Sequence, residues 1–307
     1  MRNIINLLKA TYSDWSEDKA SRLAAALAYY TAISLAPLLI TLIAIVGFVL
    51  GQEAAQGQIA GQMQALVGDQ SAQAIQEIIA HAHRTDTGIL AAVIGVATLL
   101  FGASGVFGAL QDGLNTIWEV QPKPGRGIWG IIKDRFLSLT MVLGVGFLLL
   151  VSLLLSAALA ALGKYFEGLL PLPAFVWQAA NLVISFGVIT LLFALIYKIL
   201  PDVEIAWGDV WVGAAITSLL FTIGKFLIGL YLGRSTIGST YGAAGSLVVI
   251  LIWIYYSAQI LFFGAEFTQV YANQYGSRIK PDEDAMPVTE EARAQQGMPR
   301  KDSRDAA

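Results

Sequence analysis

The chain has 307 residues, 56% of them hydrophobic and only 13% charged, whereas a soluble domain carries about 25% charged residues to dress its surface. The formal net charge of −3 gives no basic signature for nucleic acid, and the absence of cysteine excludes disulfides, thiolate metal sites and a cysteine nucleophile. With a mean hydropathy of +0.64 and its apolar residues in long continuous runs, the chain reads as a polytopic membrane protein and not as a soluble core.

In chain order, residues 1–22 mix polar and apolar side chains. Ile4, Leu7, Leu8, Tyr12 and Trp15 share one helical face, which predicts an interfacial amphipathic segment on the cytoplasmic side; no cleaved signal peptide is expected. Six runs of roughly 20 or more apolar residues follow at 23–50, 88–110, 136–162, 175–200, 210–232 and 242–270. They define an all-α, six-helix transmembrane domain over 23–271. The longest connection, 52–87, is predicted to be extracytoplasmic, with helical periodicity at Ile59, Met63 and Leu66 and again at Ile75, Ile78 and Ile79. Pro, Gln and charged residues dominate after Gly276, so 272–307 reads as a disordered cytoplasmic tail.

Orientation follows from the basic residues. Fourteen of the 19 lie in the N-terminal segment, the second connection and the C-terminal tail, and Lys198, at the end of the fourth run beside the fourth connection, makes fifteen on that side; Arg84, Lys164 and Arg234 fall on the opposite side and Lys225 lies within the fifth run. Lys and Arg concentrate on the cytoplasmic side of membrane proteins, so both termini are expected there.

Polar residues inside the runs are the strongest functional clues, because each is costly in hydrocarbon unless it faces protein or a water-filled cavity. Tyr30, Ser34, Pro37 and Thr41 form one stripe of the first run, and Tyr255, Gln259 and Glu266 form one of the last. Asp112 and Asn115, at the cytoplasmic end of the second run, could face the same mouth as Glu266, for which Arg22, Lys19 and Arg135 are the available cations. Two readings stand side by side. Either the stripes line a polar cavity with Glu266 as a headgroup, cation or proton site, or they only hydrogen-bond neighbouring helices. Gly102, Gly105, Gly108 and the pair Gly229 and Gly233 predict close helix packing.

Enzyme readings fail on missing partners. Gly102-Ala103-Ser104-Gly105 matches the serine motif of intramembrane proteases, but no run contains a histidine base. His81 and His83 in the outer loop lack the further histidines that a zinc nuclease site needs. No phosphate-binding loop or dinucleotide fingerprint is present, so no cofactor, no metal and no catalytic residue is expected.

Three stretches carry a family resemblance. They are Leu23-Ala-Ala-Ala-Leu-Ala-Tyr-Tyr-Thr-Ala-Ile-Ser-Leu-Ala-Pro37; Leu200-Pro201-Asp202 leading to Trp207; and Tyr241-Gly-Ala-Ala-Gly-Ser246 through Leu251-Ile-Trp253-Ile-Tyr-Tyr256 to Gly264-Ala265-Glu266. In order and spacing the chain resembles the YihY/BrkB family from about Leu23 to Tyr271. The resemblance implies a multi-pass bacterial inner-membrane protein. It also implies an association with virulence or with envelope lipid or lipopolysaccharide transport, and a former ribonuclease label that two loop histidines do not support. It offers no catalytic residue to transfer. The expected function is transport or lipid handling through a cavity lined by the first and last helices, with membrane lipids as partners. The alternative is a non-transporting envelope scaffold that binds a protein partner.

Overall fold

A computed structural model describes residues 2–50, 57, 105–124, 174–234 and 245–298. Helix α1 spans Arg2–Glu17 and α2 spans Ala20–Leu50; residues 105–117 are helical (α3). Strand β1 is Val120–Pro122, α4 is Ala174–Ile199, β2 is Val203–Glu204, α5 is Trp207–Arg234 and α6 is Gly245–Gln274. Strands β3 (Lys280–Pro281) and β4 (Ala285–Pro287) and helix α7 (Glu290–Gln295) follow. The protein is thus a helical membrane protein whose few strands are two or three residues long.

Among the described residues, three helical segments are long and apolar enough to cross a membrane: Leu182–Ile199, Trp207–Tyr231 and Val248–Gln274. A helix satisfies its backbone internally, which is why such runs form helices in lipid. Their outward sides are apolar; Leu219, Ile223, Phe226, Leu227 and Leu230 on α5 are exposed, Phe226 by 70%. So large an unbroken apolar face suits hydrocarbon. The predicted run at 136–162 and the connection at 52–87, apart from Gly57, lie outside the described residues.

The core runs between the helices. Ala24 and Leu27 of α2, Leu114 and Ile117 of α3, Phe193 and Tyr197 of α4, Val210 and Ala214 of α5, and Phe262 and Ala265 of α6 form one buried cluster. Helix α6 is its hub and packs against α1, α2 and α5. Two glycines allow the closest of these approaches. A Cβ on Gly264 would collide with Thr217 and with the Tyr197 hydroxyl, and one on Gly213 would collide with Thr268. Tyr197 uses that approach to donate to the Leu261 carbonyl at 2.7 Å, with its hydroxyl 3.1 Å from Thr217 Oγ1. Gly105 gives its space to the Tyr30 ring, while Gly229 faces open space among the described residues.

One end of the bundle is closed by the segment after α6, and here the reading of 272–307 as a disordered tail is corrected for 272–298, the last nine residues lying outside the described ones. Helix α6 continues to Gln274, and residues 276–298 fold back as a strap. Its β3 pairs antiparallel with β2, Val203 opposite Pro281, and its β4 with β1, Gln121 opposite Met286. Ser277 donates from its N–H and its hydroxyl to Asp209 Oδ2, at 2.8 and 2.7 Å, at the start of α5. Thr289 caps α7 by accepting from the Ala292 N–H. Composition misses this because few apolar side chains are involved; backbone pairing and buried Ala285, Arg293 and Met298 hold the strap instead.

Beneath the strap, Asn115 donates from Nδ2 to Asp202 Oδ2 and accepts from the Asp202 N–H through Oδ1, both at 2.9 Å. The Asp202 carbonyl accepts from the Asp282 N–H at 3.0 Å. Substituting Asn115→Leu removes the acceptor of the Asp202 N–H and one donor to its carboxylate, which keeps Gln111 Nε2 at 3.4 Å, and is expected to cost about 1–3 kcal/mol. A lowered thermal midpoint in detergent checks this; an unchanged midpoint contradicts the buried pairing.

Candidate functional site

The two candidate stripes behave differently in three dimensions. On α2, Ser34 is buried, and its hydroxyl donates to the Thr31 carbonyl at 3.2 Å, while Thr31 donates to the Leu27 carbonyl at 2.7 Å. Both hydroxyls are thus satisfied within their own helix, as Ser and Thr commonly are in apolar surroundings. Tyr30 is half-exposed, edge-on to Tyr29. Helix α2 runs through Pro37, whose side chain, like that of Thr41, lies outside the described residues.

On α6, Tyr255 is exposed, Gln259 holds a buried Oε1 without a hydrogen-bond partner among the described residues, and Glu266 is 0% exposed. Neither carboxylate oxygen of Glu266 has a hydrogen-bond partner among the described residues. Of the cations expected near it, Arg22 instead donates to the Gln296 carbonyl at 2.9 Å, and Arg135 lies outside the described residues. Asp112 is exposed, whereas Asn115 is buried and engaged with Asp202.

Sequence reasoning missed the residue that organises this end. Arg293, in the strap, is 4% exposed; its guanidinium donates to Asp18 Oδ1 at 3.0 Å and to Glu119 Oε1 at 3.4 Å. It thereby joins the α1–α2 turn, the residue after Trp118 and the C-terminal segment. The only signal for it was the Thr289-Glu290-Glu291 start of a capped helix. Trp118 completes the junction by donating from its indole N–H to the Ala265 carbonyl at 3.3 Å.

A cavity of about 370 Å³ lies between the helices. Leu27, Thr31 and Leu35 of α2 and Ile250, Trp253, Ser257 and Leu261 of α6 line it, with Val106 and Leu110 of α3, Phe193 of α4 and Phe221 of α5. The first and last long helices thus share a cavity, but its lining is almost wholly apolar. Tyr30, Ser34, Tyr255, Gln259 and Glu266 do not contribute to it. Among the described residues no group of three His, Cys, Asp or Glu is placed to hold a metal ion, and His81 and His83 lie outside them.

The sequence matches the family described as Virulence factor BrkB over residues 11–289. Among curated proteins it is 26% identical over 269 residues to the ribonuclease-like protein YfkH of Bacillus subtilis, covering 85% of this chain and 94% of that one. It is 30% identical over 178 residues to a UPF0761 membrane protein of Tolumonas auensis, covering 57% of this chain and 56% of the relative. It is also 24% identical over 279 residues to one of Psychrobacter, covering 90% of this chain and 50% of the relative. The chain therefore spans nearly all of the Bacillus protein but about half the length of the other two. No solved structure matches it.

The Asp18 carboxyl gives this end a pH dependence. Burial pushes it up from an ordinary 3.8 to about 7; the Arg293 guanidinium pulls it down, and Glu119 and Asp14 add to the rise. Because the folded value lies above the unfolded one, the folded protein binds the extra proton between those two values, and stability falls as pH rises through that window. Thermal midpoints in detergent should therefore fall from about pH 5 to about pH 8, with a slope for this group of up to about 1.4 kcal/mol per pH unit. Asp18→Asn should flatten the profile. A wild-type profile that rises with pH contradicts the assignment.

Proposed function

This chain belongs to the Virulence factor BrkB family of membrane proteins, and we propose that it handles lipid within a bacterial cytoplasmic membrane by taking an acyl chain between its first and last long helices. The observation that carries this reading is the apolar cavity shared by α2 and α6. An ion or a sugar would leave its hydration there for few hydrogen-bond partners, whereas an acyl chain passes from bilayer hydrocarbon to a lining as apolar as its own surroundings. The exposed apolar face of α5 supports the same setting.

We place six helices across the bilayer and both termini in the cytoplasm. What supports this is that α1, residues 118–124, residues 200–206 and the strap gather at one end, joined by the strand pairs and by Arg293. Arg2 and Lys9 of α1, Lys123, and Arg278, Lys280 and Arg293 of the strap lie at that end, although residues 200–206 carry no Lys or Arg. The alternative is a non-transporting envelope scaffold. It draws on the back-bonded Thr31 and Ser34, whose hydroxyls are occupied within their own helix and leave α2 few groups to guide a polar solute. The ribonuclease-like name stays with the Bacillus relative, since among the described residues no group of three His, Cys, Asp or Glu is placed to support a metal-dependent nuclease reading.

The test is reconstitution into liposomes with fluorescent phospholipids, following exchange between leaflets. The wild-type protein should accelerate exchange. Ser257→Trp, which fills the cavity, should slow it by at least about tenfold, the loss expected when about 1.4 kcal/mol of stabilisation is removed. Leu219→Trp on the exposed face should behave as wild type. No acceleration by the wild-type protein favours the scaffold, and equal rates in the two variants remove the cavity from the mechanism.

A further inference from the structure

Glu266 stands apart from the other acidic groups at the strapped end. Asp18 and Glu119 share the Arg293 guanidinium, and Asp202 has Asn115. Glu266 is fully buried on α6, and neither of its oxygens receives a hydrogen bond among the described residues. Native proteins seldom bury an unpartnered carboxylate, and one placed in a membrane helix is functional by default.

The charged groups that act on it come from four places at this end. Asp14 of α1, Asp18 of the α1–α2 turn, Glu119 after α3 and Arg293 of α7 all act on it electrostatically. Helix α5 packs there through Gly213, Ala214 and Thr217, which carry no charge. Three carboxylates therefore face one guanidinium that two of them already hold. Trp15 Nε1, in a side chain packed against the same core as Ala265, is another buried group without a hydrogen-bond partner among the described residues.

We propose that Glu266 is a proton-binding site that loads and unloads at the strapped end of the bundle, exchanging its proton with the carboxylates of Asp14, Asp18 and Glu119. A proton suits the site better than a metal ion. A hard cation takes about six or more oxygen ligands, and no three acidic or histidine side chains converge to supply even half of them among the described residues. The Asp18 carboxyl, pushed up to about 7 by its burial, is placed to accept the proton and pass it outward near neutral pH. The inference goes beyond lipid handling and does not depend on the apolar cavity, whose lining excludes Glu266.

Infrared difference spectroscopy of the full chain in lipid tests it through the carbonyl stretch of a protonated carboxylic acid. The wild-type protein should show a buried-acid band that disappears reversibly as pH is raised. Glu266→Gln should lose the Glu266 component of that band and keep the component from the Asp18 carboxyl, and Asp18→Asn should do the reverse. If Glu266→Gln fails to fold, dicyclohexylcarbodiimide, an apolar reagent for protonated carboxyls, should still label Glu266 in the wild-type chain, to a lesser extent as pH rises. No band, a band that survives at every pH, or one untouched by Glu266→Gln overturns the proposal. So does a band removed at constant pH when sodium replaces choline, which would make the site one for a metal cation.

Discussion

The close approach of α5 and α6 is the constraint on which the rest of this structure depends. Gly264 and Gly213 have no side chain to hold the helices apart, so Thr217, Thr268 and the Tyr197 hydroxyl occupy the space a Cβ would take. Helices in lipid gain little from apolar contact alone, because the solvent is as apolar as the side chains; small residues and interhelical hydrogen bonds decide how they pack. Here the Tyr197 bond to the Leu261 carbonyl ties α4 into the same junction. The approach also fixes the rotation of α6. With Gly264 against α5, Phe262 and Ala265 enter the common core, Trp118 reaches the Ala265 carbonyl, and Glu266 is carried inward with them.

At the end where Glu266 lies, electrostatics replaces apolar packing. The Arg293–Asp18 pair is buried on both sides, with side chains only 5% exposed. A buried ion pair repays its desolvation only through good geometry and further hydrogen bonds, so its main consequence is often specificity of arrangement and not net stability. In this protein the pair ties the strap to the α1–α2 turn. The strap in turn aligns three connections through two short strand pairs and the Asp209 contact, and holds the mouth of the bundle in one arrangement.

Much of the membrane domain was legible in the sequence because long apolar runs have one stable solution in lipid. The runs at 175–200, 210–232 and 242–270 correspond to α4, α5 and α6 within a few residues. Glu266 was legible as a site candidate because a carboxylate in such a run is rare. Its surroundings were not. Arg293 sits in a polar segment whose fold rests on strand pairing with residues 120–122 and 203–204, a relation between distant stretches that local composition does not encode. Asn115 was read as facing Glu266 because spacing gives a helix face but not the partner across it; the partner is Asp202, in the Leu200-Pro201-Asp202 stretch. The polar stripe of α2 misled for a related reason. Periodicity puts Tyr30 and Ser34 on one stripe, but does not show that the Ser34 hydroxyl, like that of Thr31 beside it, turns back to its own helix and that the shared cavity is apolar.

Taken together, the apolar cavity and the buried acid divide the molecule into two environments, one suited to an acyl chain and one to a charge. The central claim is that the cavity between α2 and α6 receives lipid, and photocrosslinking tests it most directly. Protein in bilayers containing phospholipid with a photoreactive group on its acyl chain would be irradiated and the modified peptides mapped by mass spectrometry. Adducts are expected at Thr31, Ser257 and Leu261, and unlabelled phospholipid should compete them away. Adducts confined to outward residues such as Leu219 and Phe226, with none in the cavity, would contradict the claim.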